Sequence, residues 1–264
     1  MTVYGDLIRY RELFGNLFRR DLQAKYRGSV LGVAWSLALP LLLMGVYVLV
    51  FSLLWHAFDI PHYALFLLSG LVTWVFFSTS LQNASRSMLE NANLIKKVRF
   101  PRQLVPLSVV ATQLVTFAVM LVVLICVNAI FVPRTRPTVL LSIPIAVAVV
   151  AIVCGVALAV ASANVVFRDV EHITQALLLP WFFLTPVLYT LDKLPGADSH
   201  PRIVELLHWA NFMTPPVNAL RDPLFFGRLP RAGDAIYLCV AAVASLALGA
   251  AVFSRVDDQI AVEL

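Results

Sequence analysis

The polar and apolar positions divide this chain into long blocks. Stretches free of Asp, Glu, Lys and Arg run over residues 28–58, 60–85, 103–133, 137–167, 172–191 and 235–254. A hydrocarbon core about 30 Å thick is crossed by about 20 helical residues rising 1.5 Å each. The six stretches therefore predict transmembrane helices, trimmed to 32–56, 64–83, 105–131, 139–165, 174–191 and 233–254. A seventh stretch, 206–220, is too short to cross and contains Pro215 and Pro216, so it predicts a re-entrant or interfacial hairpin. Thr214 is the expected cap of its second arm, with Pro215 at the first helical position and Val217, Leu220 and Leu224 on one face.

Two further segments are amphipathic rather than apolar. Val3, Leu7, Tyr10, Phe14, Leu17 and Phe18 recur at helical spacing among Asp6, Arg9, Glu12, Asn16, Arg19 and Arg20. Such a helix is too polar to cross, and residues 1–31 are read as an interface helix lying along the membrane surface. Its basic groups are placed to orient the first span or to wall an entrance where they meet anionic headgroups or a pyrophosphate. Between the second and third spans, Asn91 or Asn93 can cap a short helix that Pro101 bars from continuing. That helix carries Leu94, Ile95 and Val98 beside Lys96, Lys97 and Arg99, which suits lipid or a docking groove in a partner.

Composition agrees with the pattern. Of 264 residues, 60% are apolar and 13% charged, against about 45–50% and about 25% in soluble domains. That excludes a soluble domain, a disordered chain and a collagen-like fibre. Basic residues gather before span one (Arg9, Arg11, Arg19, Arg20, Lys25, Arg27) and between spans two and three (Arg86, Lys96, Lys97, Arg99, Arg102). The positive-inside rule therefore places both termini in the cytoplasm, although Arg134 and Arg136 fall on an outer link. Charge continuing to Arg27 and a long first apolar run argue against a cleavable signal peptide.

Candidate chemistry is sparse. The chain has no P-loop, Gly-x-Ser-x-Gly or His-Glu-x-x-His pattern. Three cysteines (Cys126, Cys154, Cys239) fall within spans, where they are expected to pack as small apolar residues. His172, beside Asp169 and Glu171, reads as a helix-end cluster rather than a metal site. The predicted spans hold essentially no ionisable group, whereas ion-coupled transporters commonly place one at mid-membrane. If the chain moves a solute, its energy is expected from another subunit. Aromatics are plentiful: Trp35 and Trp55 fit an interfacial belt, but Trp74 with Phe76 and Phe77, and Trp181 with Phe182 and Phe183, lie deeper. They either pack between helices or line a pathway on which sugar rings slide. Pro180 and Pro186 are expected to loosen the fifth span.

Four runs carry a family resemblance. They are Arg20-Asp-Leu-Gln-Ala-Lys-Tyr-Arg-Gly-Ser-Val-Leu-Gly-Val-Ala-Trp-Ser36 and Asn91-Ala-Asn-Leu-Ile-Lys-Lys-Val-Arg-Phe-Pro101. The others are Phe167-Arg-Asp-Val-Glu-His172 with Trp181-Phe-Phe-Leu-Thr-Pro-Val-Leu-Tyr189, and Met213-Thr-Pro-Pro216 with Arg221-Asp222. In this order they resemble type 2 ABC exporter permeases of the branch that exports O-antigen, capsule, teichoic acid and galactan. The resemblance implies an all-α integral membrane protein, a single transmembrane domain over 1–264, working as two copies with two copies of a separate P-loop ATPase. It implies no catalysis, metal or cofactor in this chain (ATP and Mg sit on the partner), no nucleic acid, and an inner-membrane location. The cargo implied is a polysaccharide on undecaprenyl pyrophosphate or a similar lipid. By position, Glu90, Asn91, Asn93, Leu94, Ile95, Lys96 and Lys97 correspond to the helix that couples to the ATPase. Arg19, Arg20, Lys25 and Arg27 correspond to the lipid-linked entrance. Phe212, Thr214, Pro215 and Arg221 correspond to the short outer gate helices. Trp74, Phe77, Trp181, Phe183 and Tyr189 are the candidate sugar contacts. Rival readings are a type 2 permease for drugs or simple lipids and a polyprenol-dependent membrane transferase, which would need clustered acids at one membrane face.

Overall fold

A computed structural model describes residues 4–29, 32–50, 60–98, 100–193 and 200–263; these are helical, with no strand among them. Helices α1 (Gly5–Arg9) and α2 (Arg11–Tyr26) precede α3 (Trp35–Tyr47), α4 (Tyr63–Glu90) and α5 (Ala92–Lys97). Then come α6 (Leu104–Phe131), α7 (Ser142–Val166), α8 (Asp169–Leu184), α9 (Pro201–Ala210), α10 (Thr214–Arg221) and α11 (Ala232–Glu263).

Among the described residues four helical stretches are long and apolar enough to cross a membrane: Tyr63–Glu90, Leu104–Phe131, Val139–Val166 and Ala232–Asp257. They coincide with the second, third, fourth and sixth expected spans. The first is described over 32–50, with an apolar helix over Pro40–Val50; residues 51–56, Trp55 included, lie outside the described residues. The fifth differs from expectation. Helix α8 starts earlier and stops at Leu184 rather than 191. A residue before proline is driven from the helical region, and Thr185, before Pro186, is extended (φ −87°, ψ 133°). Pro180, by contrast, sits inside α8 without ending it. Helices α4 and α11 both outrun their expected ends, α11 reaching Glu263.

Helix α4 is the hub, packing on α3, α6, α7, α8 and α10. Its Leu67, Leu71 and Phe77 share a core with Leu124 of α6 and Val153 and Ala157 of α7. Helices α7 and α11 approach backbone to backbone. A Cβ at Gly155 would collide with the Ser245 carbonyl, and one at Gly249 with the Gly155 carbonyl. In lipid, close approach of small residues supplies the dispersion contacts that the hydrophobic effect cannot. Outward faces remain apolar: Val122, Ile130, Val147, Ile236, Val240 and Val243 are exposed, as suits a surface solvated by hydrocarbon. Cys154 is half-buried, but Cys126 and Cys239 face outward, so only Cys154 packs as expected.

The two ends of the bundle differ. At one end, Leu17 of α2, Met88, Ile95 of α5, Leu104, Phe253 and Ile260 form a cluster, so the described N- and C-terminal helices meet there. The Tyr4 hydroxyl donates to the Leu246 carbonyl (2.8 Å), and Arg102 pairs with Asp257 (2.9 Å). The expected interface helix is in fact two pieces broken at Tyr10. The short first piece docks through Asp6, which accepts from Gln103 Nε2 (2.8 Å). At the other end lie α9, α10 and the link between α6 and α7. There Thr138 donates to the Pro223 carbonyl (3.0 Å). Gly227 (φ 66°) turns against Arg134, whose carbonyl leaves no room for a Cβ.

Candidate functional site

Three arrangements place the residues singled out above, beginning at the end that carries α2 and α5. A cavity of about 540 Å³ opens between α2, α3, α4 and α6. Its α4 wall carries Thr79, Asn83, Arg86 and Glu90, spaced three or four residues apart on one face. Its α6 wall carries Thr112, Gln113 and Thr116. Lys25 lines it from α2, donating to Gln113 Oε1 (2.9 Å) and Thr116 Oγ1 (2.8 Å). Arg86 is held by Asn83 Oδ1 (2.8 Å) and Glu90 (3.3 Å). Asp21 accepts from Arg20 (2.8 Å) on one oxygen and from Ser108 (2.9 Å) on the other. Of the four expected entrance residues, the structure brings Lys25 to the cavity and Arg20 to its rim, while Arg19 and Arg27 are exposed. The walls of α4 and α6 were missed. Polar residues at helical spacing inside two otherwise apolar helices were the available signal.

Arg20 reaches further. Its Nη2 donates to Asn91 Oδ1 (2.8 Å), while Asn91 Nδ2 donates to the Ser87 carbonyl (2.8 Å). Asn91 is the junction between α4 and α5, so one side chain joins α2 to α5. It makes no side-chain cap bond to α5, its amide being spent on Ser87 and Arg20. Within α5, Ile95 is 7% exposed and packs in the chain's own cluster, with Leu94 against it. Asn93, Lys96, Lys97 and Val98 are exposed instead. Ile95 thus holds α5 on the bundle, and the outward surface is polar and basic with Val98 as its apolar part.

The second arrangement is aromatic. Trp74 lies beside Phe77 (5.7 Å between ring centres) and edge-on to Trp181 (6.4 Å); Trp181 meets Phe77 at 5.4 Å and Phe212 at 4.8 Å. Edge-on pairs at such distances are favourable beyond the area they bury. Trp181 Nε1 donates to Asn211 Oδ1 (2.8 Å), Asn211 Nδ2 donates to Thr185 Oγ1 (2.9 Å), and Asn211 Oδ1 also accepts from the Met213 amide (3.1 Å). Asn211 therefore organises the turn before α10, whose cap is Met213 and not Thr214. The Thr214 hydroxyl is buried without a hydrogen bond among the described residues. In this conformation Trp74 and Phe77 are core, Trp181 and Tyr189 are half-buried, and Phe183 is 50% exposed. Tyr189 donates to the Phe183 carbonyl (2.9 Å).

Arg221 forms the third. It is 1% exposed, and its guanidinium donates to the carbonyls of Pro186 (2.7 Å) and Val187 (2.8 Å) and to Ser69 Oγ (3.3 Å). It also stacks over Phe66 at 4.1 Å. Both carbonyls belong to the non-helical segment that follows α8. A Cβ at Gly70 would collide with the guanidinium, so α4 makes room for it there. Burial pulls the Arg221 pKa down to about 9, opposed by Asp222, and the group remains a cation at neutral pH. Pro215, Val217, Leu220 and Leu224 are all buried beside it, forming the expected inner face.

Comparison with known proteins finds relatives along most of the chain. The ABC-2 type transporter family matches residues 12–225. A Myxococcus xanthus protein described as an O-antigen export system permease protein RfbA is 32% identical over 256 residues, covering 97% of this chain and 96% of its own. A Klebsiella pneumoniae protein of the same description is 37% identical over 198 residues, covering 72% of this chain and 75% of its own. With the apolar spans, the short helix after α4 and the matched region all in place, this chain belongs to the ABC-2 type transporter family.

Proposed function

We propose that the chain is the transmembrane half of an ATP-driven exporter that moves a lipid-linked polysaccharide from the cytoplasmic to the outer face of the inner membrane. The observation that carries this is the near full-length similarity to a permease described as an O-antigen export component. Two copies pair with two copies of a separate ATPase, and the termini face the cytoplasm. The cavity walled by Lys25 and Arg86 is the entrance for the anionic headgroup, with Arg19, Arg20 and Arg27 gathering it from the interface. The exposed face of α5 (Asn93, Lys96, Lys97) docks on the ATPase, and Glu90 and Asn91 pass its motion to α4 and, through Arg20, to α2. Phe183 and Tyr189 meet the polymer, while Trp74, Phe77 and Trp181 brace Phe212 and the turn into α10 so that α8 and the outer helices move together. Arg221 sets the closed position of that gate.

Deleting this chain from its host is expected to abolish surface display of the polymer and leave lipid-linked polymer inside. Replacing Asn91 with Ala is expected to lower export several-fold while ATPase association persists. Unchanged surface polymer after deletion refutes the reading.

A further inference from the structure

A second cavity, of about 700 Å³, lies at the opposite end, between the residues after α8, helix α9, the end of α10 and the start of α11. Its size is within the range of small-molecule sites. The four carboxylates of Asp192, Glu205, Asp222 and Asp234 face the guanidiniums of Arg228 and Arg231, with buried Arg221 behind them. The opposite charges are interleaved. Asp222 takes Arg228 (2.9 Å), Asp234 takes His208 (2.6 Å), and Arg231 reaches Asp192 (3.5 Å). A wall so nearly neutral gives little attraction to a phosphate or a metal ion.

It is nevertheless rich in fixed hydrogen-bonding groups. Asp222 and Asp234 are each 2% exposed. Each spends Oδ1 on its basic partner, and among the described residues Oδ2 of each accepts nothing. Two rigid carboxylate oxygens therefore line a cavity without protein donors. Asn218 and Glu205 stand on the same wall. Beside them the Trp209 indole is 40% exposed, held edge-on by His208 (4.6 Å) and tilted on Tyr237 (5.8 Å). Gly233 lies under the indole, and a Cβ there would come to 3.0 Å from it.

Paired acceptors for adjacent hydroxyls, planar amide and carboxylate groups, an exposed aromatic face and little net charge describe one ligand class. We propose that this cavity is a binding subsite for a neutral sugar unit, in which Asp222, Asp234, Glu205 and Asn218 accept hydroxyls and Trp209 covers a ring's C–H face. The proposal rests on the export reading and deepens it: the subsite would hold emerging polymer at the outer end, between α9 and α11, so that it does not slip back.

The test uses the full-length chain in lipid nanodiscs and oligosaccharides released by mild acid from the host's own surface polysaccharide. Saturation-transfer NMR is expected to show transfer to ring C–H protons. Affinity should fall about tenfold in Glu205→Gln and in Trp209→Leu, and stay unchanged in Arg202→Gln, exposed on the same helix. The isosteric Glu205→Gln and Asn218→Asp guard against a variant that misfolds. Absence of transfer to wild type, or equal affinity in all variants, overturns the subsite. The deletion strain separates the two ideas. Surface polymer independent of the chain removes the export reading, whereas dependence on the chain with no binding here removes only the subsite.

Discussion

Arg221 meets two carbonyls, the Ser69 hydroxyl and the Phe66 ring with one guanidinium. Helix α8 ends because of Pro186, and the non-helical segment that follows carries two carbonyls within the bundle. One planar guanidinium reaches both, which a lysine ammonium does not match in geometry. Arg221→Leu leaves two buried carbonyls unpaired, at a cost of about 1–3 kcal/mol each. The variant is therefore expected to lose most of its thermal stability in detergent, with Arg221→Lys intermediate. Fluorescence-detected size exclusion after a heating series measures this, and equal midpoints for all three proteins would contradict it. Arg221 was picked from a motif beside Asp222, but its role was not legible. No sequence pattern connects position 221 to carbonyls at 186 and 187, or to the missing side chain at Gly70. The Thr214 cap failed for a related reason: Asn211, three residues earlier, offers a short polar side chain to the same turn and also meets Trp181.

Among elements, long apolar helices were the most legible because a membrane demands a continuous run and tolerates no irregular backbone in lipid. Their ends were not, since α4 and α11 continue past the apolar window as amphipathic turns packed at one end of the bundle. The cavity between α2, α3, α4 and α6 was half legible. Basic residues of α2 stood out, while Thr79 and Asn83 were hidden within a span and Arg86 was read only as a basic group beyond its end. Tight pairing of α7 with α11 was not foreseen, for glycines in an apolar helix do not announce their partner. Gly155→Val forces that interface apart, and overpacking costs about 1–3 kcal/mol where side chains can adjust. Here the obstacle is the backbone around Ser245, so the loss is expected at or above that range. Gly45→Val, with open space around its added Cβ, is expected to be tolerated in the same detergent-stability assay. Comparable losses for the two would argue against the close contact.

At the scale of the whole molecule, the described helices form a bundle whose two ends are built differently. One end gathers the described terminal helices, α5 and a cavity where Lys25 and Arg86 stand beside Asp21 and Glu90; the other gathers α9, α10, the buried Arg221 and a cavity of interleaved charges. Helix α4 runs between them, ending at Asn91 beside α5 and carrying Gly70 and Ser69 against Arg221. Under the proposed function, a push on α5 has one continuous helix to the Arg221 contacts, about 30 Å away at 1.5 Å per helical residue. Coupling by a rigid element needs no ionisable relay within the spans.

The most direct test of this account is to purify the tagged chain from native membranes in mild detergent, with a photo-activated crosslinker on a cysteine placed at exposed Asn93 of α5. The account predicts a stoichiometric P-loop ATPase in the preparation, crosslinked at position 93, and lost when Lys96 and Lys97 are both replaced by Glu. A chain that purifies alone, or an ATPase that binds without any crosslink from α5 and survives the charge reversal, would contradict it.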